Sequence, residues 1–119
     1  MLTVRKDGHL KGNNMENLLQ ETIEELKLNG KTLDDVTHIF LNKEYQITKE
    51  DFIRVANCNY DDGYGGNEVA MNLVLLGDGF WLERQEYDGL EWWAYRTPYE
   101  IPTEFGDPNM IWTDNGTLL

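Results

Sequence analysis

Serine is missing from the 119-residue chain altogether, which excludes a serine nucleophile. Cysteine occurs once, at Cys58, so no internal disulfide can form, and a reducing, cytoplasmic setting is expected. With that cysteine and two histidines, a zinc site of the usual four ligands could not be assembled without carboxylates. A GxxxxGK phosphate loop is lacking: Gly63, Gly65 and Gly66 precede neither a lysine nor a good helix start. Long apolar runs are lacking too. Val69 to Leu76 is interrupted and far shorter than the ~20 residues of a membrane span. The opening MLTVRKDGHLKG has no apolar segment of the kind a secretory signal needs. No cofactor and no resident metal are expected.

Positive charge is scarce and unevenly placed. The chain has 22 Asp and Glu against 10 Lys and Arg, a net charge of -12. Residues 1–60 hold 10 acids and 8 bases, whereas residues 61–119 hold 12 acids against Arg84 and Arg96 and contain no lysine. A surface so one-sided repels nucleic acid and anionic membranes and steers the protein towards a basic partner. The plainer reading is that the acids serve solubility.

What is present is enough apolar material for one core. Hydrophobic residues make up 40% of the chain and aromatics 12%, and the length suits a single domain. Three of the four tryptophans fall in Phe80 to Arg96, FWLERQEYDGLEWWAYR. Its Asp88-Gly89 pair suits a type I′ turn, whose two central residues need a positive φ. The arms are aromatic, as half-buried strands are. A two-residue turn sets Tyr87 opposite Leu90, Gln85 opposite Trp92, Glu83 opposite Ala94 and Trp81 opposite Arg96. On the other face it sets Arg84 against Trp93, Leu82 against Tyr95 and Glu86 against Glu91. The last is a like-charge pair, unfavourable unless exposed or met by a basic partner.

Upstream, Asn14 is read as the cap of an amphipathic helix from Met15, with Leu18, Leu19, Ile23 and Leu26 inward and Asn29-Gly30 as its stop. Thr32 to Asp35 reads as a turn and Val36 to Leu41 as a strand. His38 lies in that strand as a packed or edge residue. Asn42 to Glu44 is turn-like. Thr48 with Asp51 opens a second, short helix. The loop NCNYDDGYGGN, Asn57 to Asn67, partly matches a calcium loop through Asn57, Asn59, Asp61 and Glu68. Asn at the first position and the late Gly63 depart from that pattern, and an Asx-rich turn is the competing reading. Val69 to Leu76 reads as a strand and Gly77-Asp78-Gly79 as a turn.

These elements predict an α+β fold: a small domain with a three- to four-stranded antiparallel meander packed with two helices. The helices cover one face and leave aromatic area on the other. Residues 1–14 form a basic N-terminal arm, residues 15–97 the compact domain, and residues 98–119 an extended C-terminal segment rich in proline and turn residues. Tyr99, Ile101, Phe105, Ile111 and Trp112 either dock that segment on the domain or serve as a binding segment. Carboxylate pairs such as Glu83 with Glu86 or Glu91 could do acid–base work, but 22 acids generate such pairs by chance.

The stretches GYGGNEVA, FWLERQEYDG and EWWAYR resemble a group of small accessory proteins from phages and prophages of Gram-positive bacteria, over about the central half of the chain. The resemblance implies a small cytoplasmic protein of a mobile element, anti-CRISPR-like in acting by binding a host component, and it carries over no catalytic residues. The expectation is therefore a non-enzymatic inhibitor that occupies a basic nucleic-acid-binding surface of a host protein, with a CRISPR nuclease as candidate, and that contacts neither nucleic acid nor membrane directly. Asp61, Asp62, Tyr64, Glu83, Glu86, Asp88, Glu91 and Trp92 are the expected partner-binding residues. The alternative is a phage assembly or regulatory protein that self-associates through a sheet edge or an aromatic patch.

Overall fold

The computed structural model describes residues 3–4, 10–11, 15–63 and 66–113. Two strands open the chain, β1 (Thr3–Val4) and β2 (Leu10–Lys11), paired antiparallel within the basic arm. Then come β3 (Met15–Asn17), α1 (Leu18–Leu28), a 3-10 turn (Leu33–Asp35), β4 (Val36–Leu41), β5 (Tyr45–Ile47), α2 (Lys49–Ala56), β6 (Asn59–Asp61), β7 (Leu73–Gly77), β8 (Phe80–Tyr87) and β9 (Leu90–Arg96). The fold is α+β, a small single domain, with a five-stranded antiparallel sheet in the order β5, β4, β7, β8, β9. β3 and β6 form a further antiparallel pair. The sheet thus has one strand more than the widest meander expected.

The β8–β9 hairpin forms in the expected register, pair by pair from Tyr87 with Leu90 to Trp81 with Arg96. Asp88 (φ 52°) and Gly89 (φ 86°) are both left-handed, as a type I′ turn requires. α2 is capped by Thr48, whose Oγ1 accepts the Asp51 N–H at 3.1 Å. α1 stops at Asn29-Gly30. Gly30 takes φ 74°, its N–H bonds Lys27 O, and the Lys31 N–H bonds Leu26 O, which is a Schellman motif.

Other boundaries move. α1 begins at Leu18 and is capped by Asn17, not Asn14, because Met15 to Asn17 are drawn into pairing with Asn59 to Asp61. β7 starts at Leu73 rather than Val69. The N–H groups of Glu68 and Val69 are taken by the Glu91 carboxylate instead of a strand ladder. Gly77 ends that strand, and the turn is Asp78-Gly79, with Gly79 at φ 79°.

Alternation divides the sheet into two unlike faces. The inner face presents Ile39, Leu73, Leu75, Phe80, Leu82 and Trp93, which join Leu19 and Leu26 of α1 and Phe52 and Ala56 of α2 in one core. Tyr95 stacks on Phe80 at 5.3 Å between ring centroids. Trp93 Nε1 donates to Thr22 Oγ1 at 2.8 Å, which ties β9 to α1. The outer face presents Phe40, Val74, Leu76, Trp81, Glu83, Gln85, Trp92 and Ala94, and no described helix packs on it.

Candidate functional site

The inner face carries a charge into the core. Arg84 stands between leucine and tryptophan neighbours, and its Nη2 meets Glu91 Oε1 at 3.1 Å and the Tyr60 hydroxyl at 3.0 Å, while its Nη1 lies 3.5 Å from Glu21 Oε1. Tyr60 in turn donates its hydroxyl proton to Glu21. The guanidinium lies over the rings of Trp93 and Tyr60, at 4.8 and 5.7 Å from their centroids. Burial works against the Arg84 charge, but the Glu21 carboxylate, with Tyr60 and Glu91, holds it above its ordinary range. Burial first, and then Glu21, push the Tyr60 hydroxyl far up, so it stays protonated.

Glu91 is the hub between this network and the loop before β7. Besides Arg84, its carboxylate accepts the N–H groups of Glu68 (2.8 Å) and Val69 (3.1 Å), and its own N–H donates to Asp62 O at 2.9 Å. The expected like-charge clash with Glu86 is resolved internally: Glu91 is 1% exposed and met by Arg84, while Glu86 lies beyond the core in solvent. Glu91 and Asp62, also 1% exposed, were both expected at a partner surface, and both carboxylates are interior, as the price of closing the loop onto β9.

The remaining expected residues separate into two places, with Asp61 apart. Glu86 and Asp88 are exposed together at the β8–β9 tip, flanking Tyr87, which is 73% exposed. Glu83 and Trp92 sit on the outer face. Glu83 accepts Trp81 Nε1 at 2.7 Å and Gln85 Nε2 at 2.8 Å and lies 3.8 Å from Arg96 Nε. Trp92 is half-buried, and its Nε1 is enclosed without a hydrogen-bond partner. Asp61 is held in β6, where its Oδ1 accepts the Gly63 N–H. Tyr64 lies outside the described residues. Sequence reasoning passed over Tyr87, which strand alternation alone does not distinguish from a covered aromatic, and over the internal trio Glu21, Tyr60 and Arg84, which are 63 residues apart at the extremes.

The calcium-loop reading loses its donors to the fold. Glu68 accepts the Asp61 N–H at 2.7 Å, Asn57 Oδ1 accepts from Asn17, and Asn59 runs through a strand. Among the described residues no group of three or more His, Cys, Asp or Glu side chains could hold a metal ion. The carboxylate pairs singled out in the hairpin do not converge either, since Glu83 faces outward and Glu91 inward. Four surface cavities each carry a single carboxylate: Glu25, Glu44, Glu68 or Glu100. No helix among the described residues is long and apolar enough to cross a membrane.

From Arg96 through Thr113 every residue is exposed. This C-terminal arm carries Tyr99, Ile101, Phe105, Met110, Ile111 and Trp112 into solvent and contains one short ordered turn, Pro108–Ile111, capped by Asp107. Apart from that turn, residues 97–113 form no helix or strand. No protein-family model, no curated protein and no solved structure matches this chain.

Proposed function

We propose that this chain is a non-enzymatic interaction protein that occupies a basic, nucleic-acid-binding surface of another protein, with a host CRISPR nuclease as the candidate partner. One observation carries the reading: the fate of the two arginines in the C-terminal half. Arg84 is consumed in the core, and Arg96 lies beside Glu83. Outside the core, described residues 61–113 hold nine carboxylates (Asp61, Glu68, Asp78, Glu83, Glu86, Asp88, Glu100, Glu104, Asp107) against Arg96 alone. Carboxylates so placed can take Lys and Arg sites that otherwise hold phosphate, and Tyr87 at the tip supplies an aromatic anchor between two of them. A resemblance of the loop and hairpin to phage accessory proteins is part of the same proposal, and it points to a host target.

The test is complex formation between the purified chain and a panel of basic nucleic-acid-binding proteins, CRISPR nucleases among them, at low and high salt. A complex that weakens as salt rises, displaces nucleic acid and loses about tenfold or more in affinity on joint Glu86→Lys and Asp88→Lys substitution is expected. Absence of any complex at low salt, or one indifferent to those reversals, overturns the reading.

A further inference from the structure

The outer sheet face and the C-terminal arm are each unfinished. Across the face, cross-strand rows run Phe40, Val74, Glu83, Ala94 and His38, Leu76, Trp81, Arg96, with Gln85 and Trp92 next to them. On this mixed face Phe40, Val74, Leu76, Trp81 and Trp92 are half-buried and Ala94 is buried, no helix of the described residues packs on it, and a sheet face with that much aromatic and aliphatic area ordinarily packs on something. The arm has the converse defect. Tyr99 is 99%, Ile101 89% and Phe105 101% exposed, and Met110, Ile111 and Trp112 follow at 74, 78 and 51%.

We propose that the arm of one copy seats on the outer face of a second copy, in a reciprocal exchange that makes a two-fold dimer. Two observations select a second copy as the occupant. First, the arm leaves from Arg96, whose cross-strand partner Trp81 is part of that face, and the prolines at 98 and 102 hold Thr97 and Ile101 extended. The arm therefore leaves β9 extended, with Thr97 to Glu100 beside Gly79 of the turn between β7 and β8. Second, six large apolar side chains at about 150 Å² each remove on the order of 900 Å² per arm, and two arms reach the range of stable interfaces. Symmetric exchange of an identical segment needs no new fold.

The dimer and the basic-partner complex respond to salt with opposite sign. Two copies of net charge -12 repel, so screening strengthens their association while it weakens capture of a basic protein. The test is the solution mass of the full chain, by light scattering over a concentration series at low and high salt. It is run beside a variant ending at Thr97 and beside Ile101→Asp with Phe105→Asp, whose exposed positions leave the core untouched. A dimer that tightens with salt and becomes monomeric in both variants, with near-ultraviolet dichroism of the domain unchanged, is the expected result. Leu76→Glu on the face should dissociate it likewise. A monomeric full chain overturns the proposal, whether the arm stays free or Trp112 is shielded on its own sheet, and so does a dimer that survives loss of the arm.

Discussion

Arg84 brings its charge into a core of leucine and aromatic side chains, where Glu91 and Glu21 receive it at 3.1 and 3.5 Å with all three side chains at most 1% exposed. Removing one member of such a set strands the others, which costs far more than the set is worth against an apolar core. Arg84→Met is therefore expected to destabilise by about 3 to 5 kcal/mol in denaturant unfolding, and Glu91→Gln by roughly 2 to 3 kcal/mol because it weakens charge-assisted bonds to Arg84, Glu68 and Val69. Glu86→Gln, at the exposed cross-strand partner of Glu91, should leave stability unchanged. Equal effects at 86 and 91 would contradict the burial assigned to them. Tyr60 adds a pH signature. Its hydroxyl is raised above the ordinary phenol value of 10.0 by burial and Glu21, so the folded state binds that proton more tightly than the unfolded chain does. The resulting stability is whole below pH 10 and is lost as pH rises above it. Tyr60→Phe should flatten the alkaline fall in stability by up to ~1.4 kcal/mol per pH unit, read from unfolding curves between neutral and strongly alkaline pH.

Elements followed the sequence where their chemistry is local. The Asp88-Gly89 turn, the Thr48 cap and the Gly30 stop each depend on neighbours within a few residues, and each lies where it was expected. The misplaced elements depend on distant partners. β3 and β6 are three-residue polar strands that exist because residues 15–17 and 59–61 pair across more than 40 positions, and neither has a period of its own. β5 is equally short and hangs on the Asn42-Lys43 turn, where both residues take a positive φ (55 and 58°) without glycine. Gly77 shows a third kind of constraint. It is needed for space, since a Cβ there would meet the Phe80 ring at 2.2 Å and Asp35 O at 2.6 Å. Gly77→Ala is expected to cost about 1 to 3 kcal/mol through displaced packing at the β7–β8 turn. A neutral outcome in thermal unfolding would show that Phe80 yields freely.

At the scale of the molecule, net charge opposes compaction. With -12 on a chain whose second half shows one base outside the core among its described residues, added monovalent salt should raise the melting temperature of the isolated protein by screening self-repulsion. A melting temperature flat in salt would mean that the acids are spaced beyond mutual influence, and it would weaken the picture of a concentrated acidic surface. The same charge separates the two modes of association. A basic partner is gained at low salt, and a second copy at high salt.

Amino-acid order alone determined the class of fold, the hairpin with its register, the capped helix after Thr48 and the acidity of the second half. These rest on composition, period and turn chemistry, which act over a few residues. It also marked Glu86 and Asp88 as carboxylates at a hairpin tip, where exposure follows from the turn itself. Only the tertiary structure decided which acids face outward. Glu91 and Glu86 are the two members of one cross-strand pair in the hairpin, identical in chemistry, and what divides them is Arg84, Glu21 and Tyr60 converging from three elements on the Glu91 side chain. That convergence is a long-range packing event, so burial reversed the role of Glu91 where no local pattern could. The exposure of the arm was likewise settled in three dimensions, because apolar residues between prolines are equally consistent with docking and with release, and only the measured exposure of the described residues tells them apart.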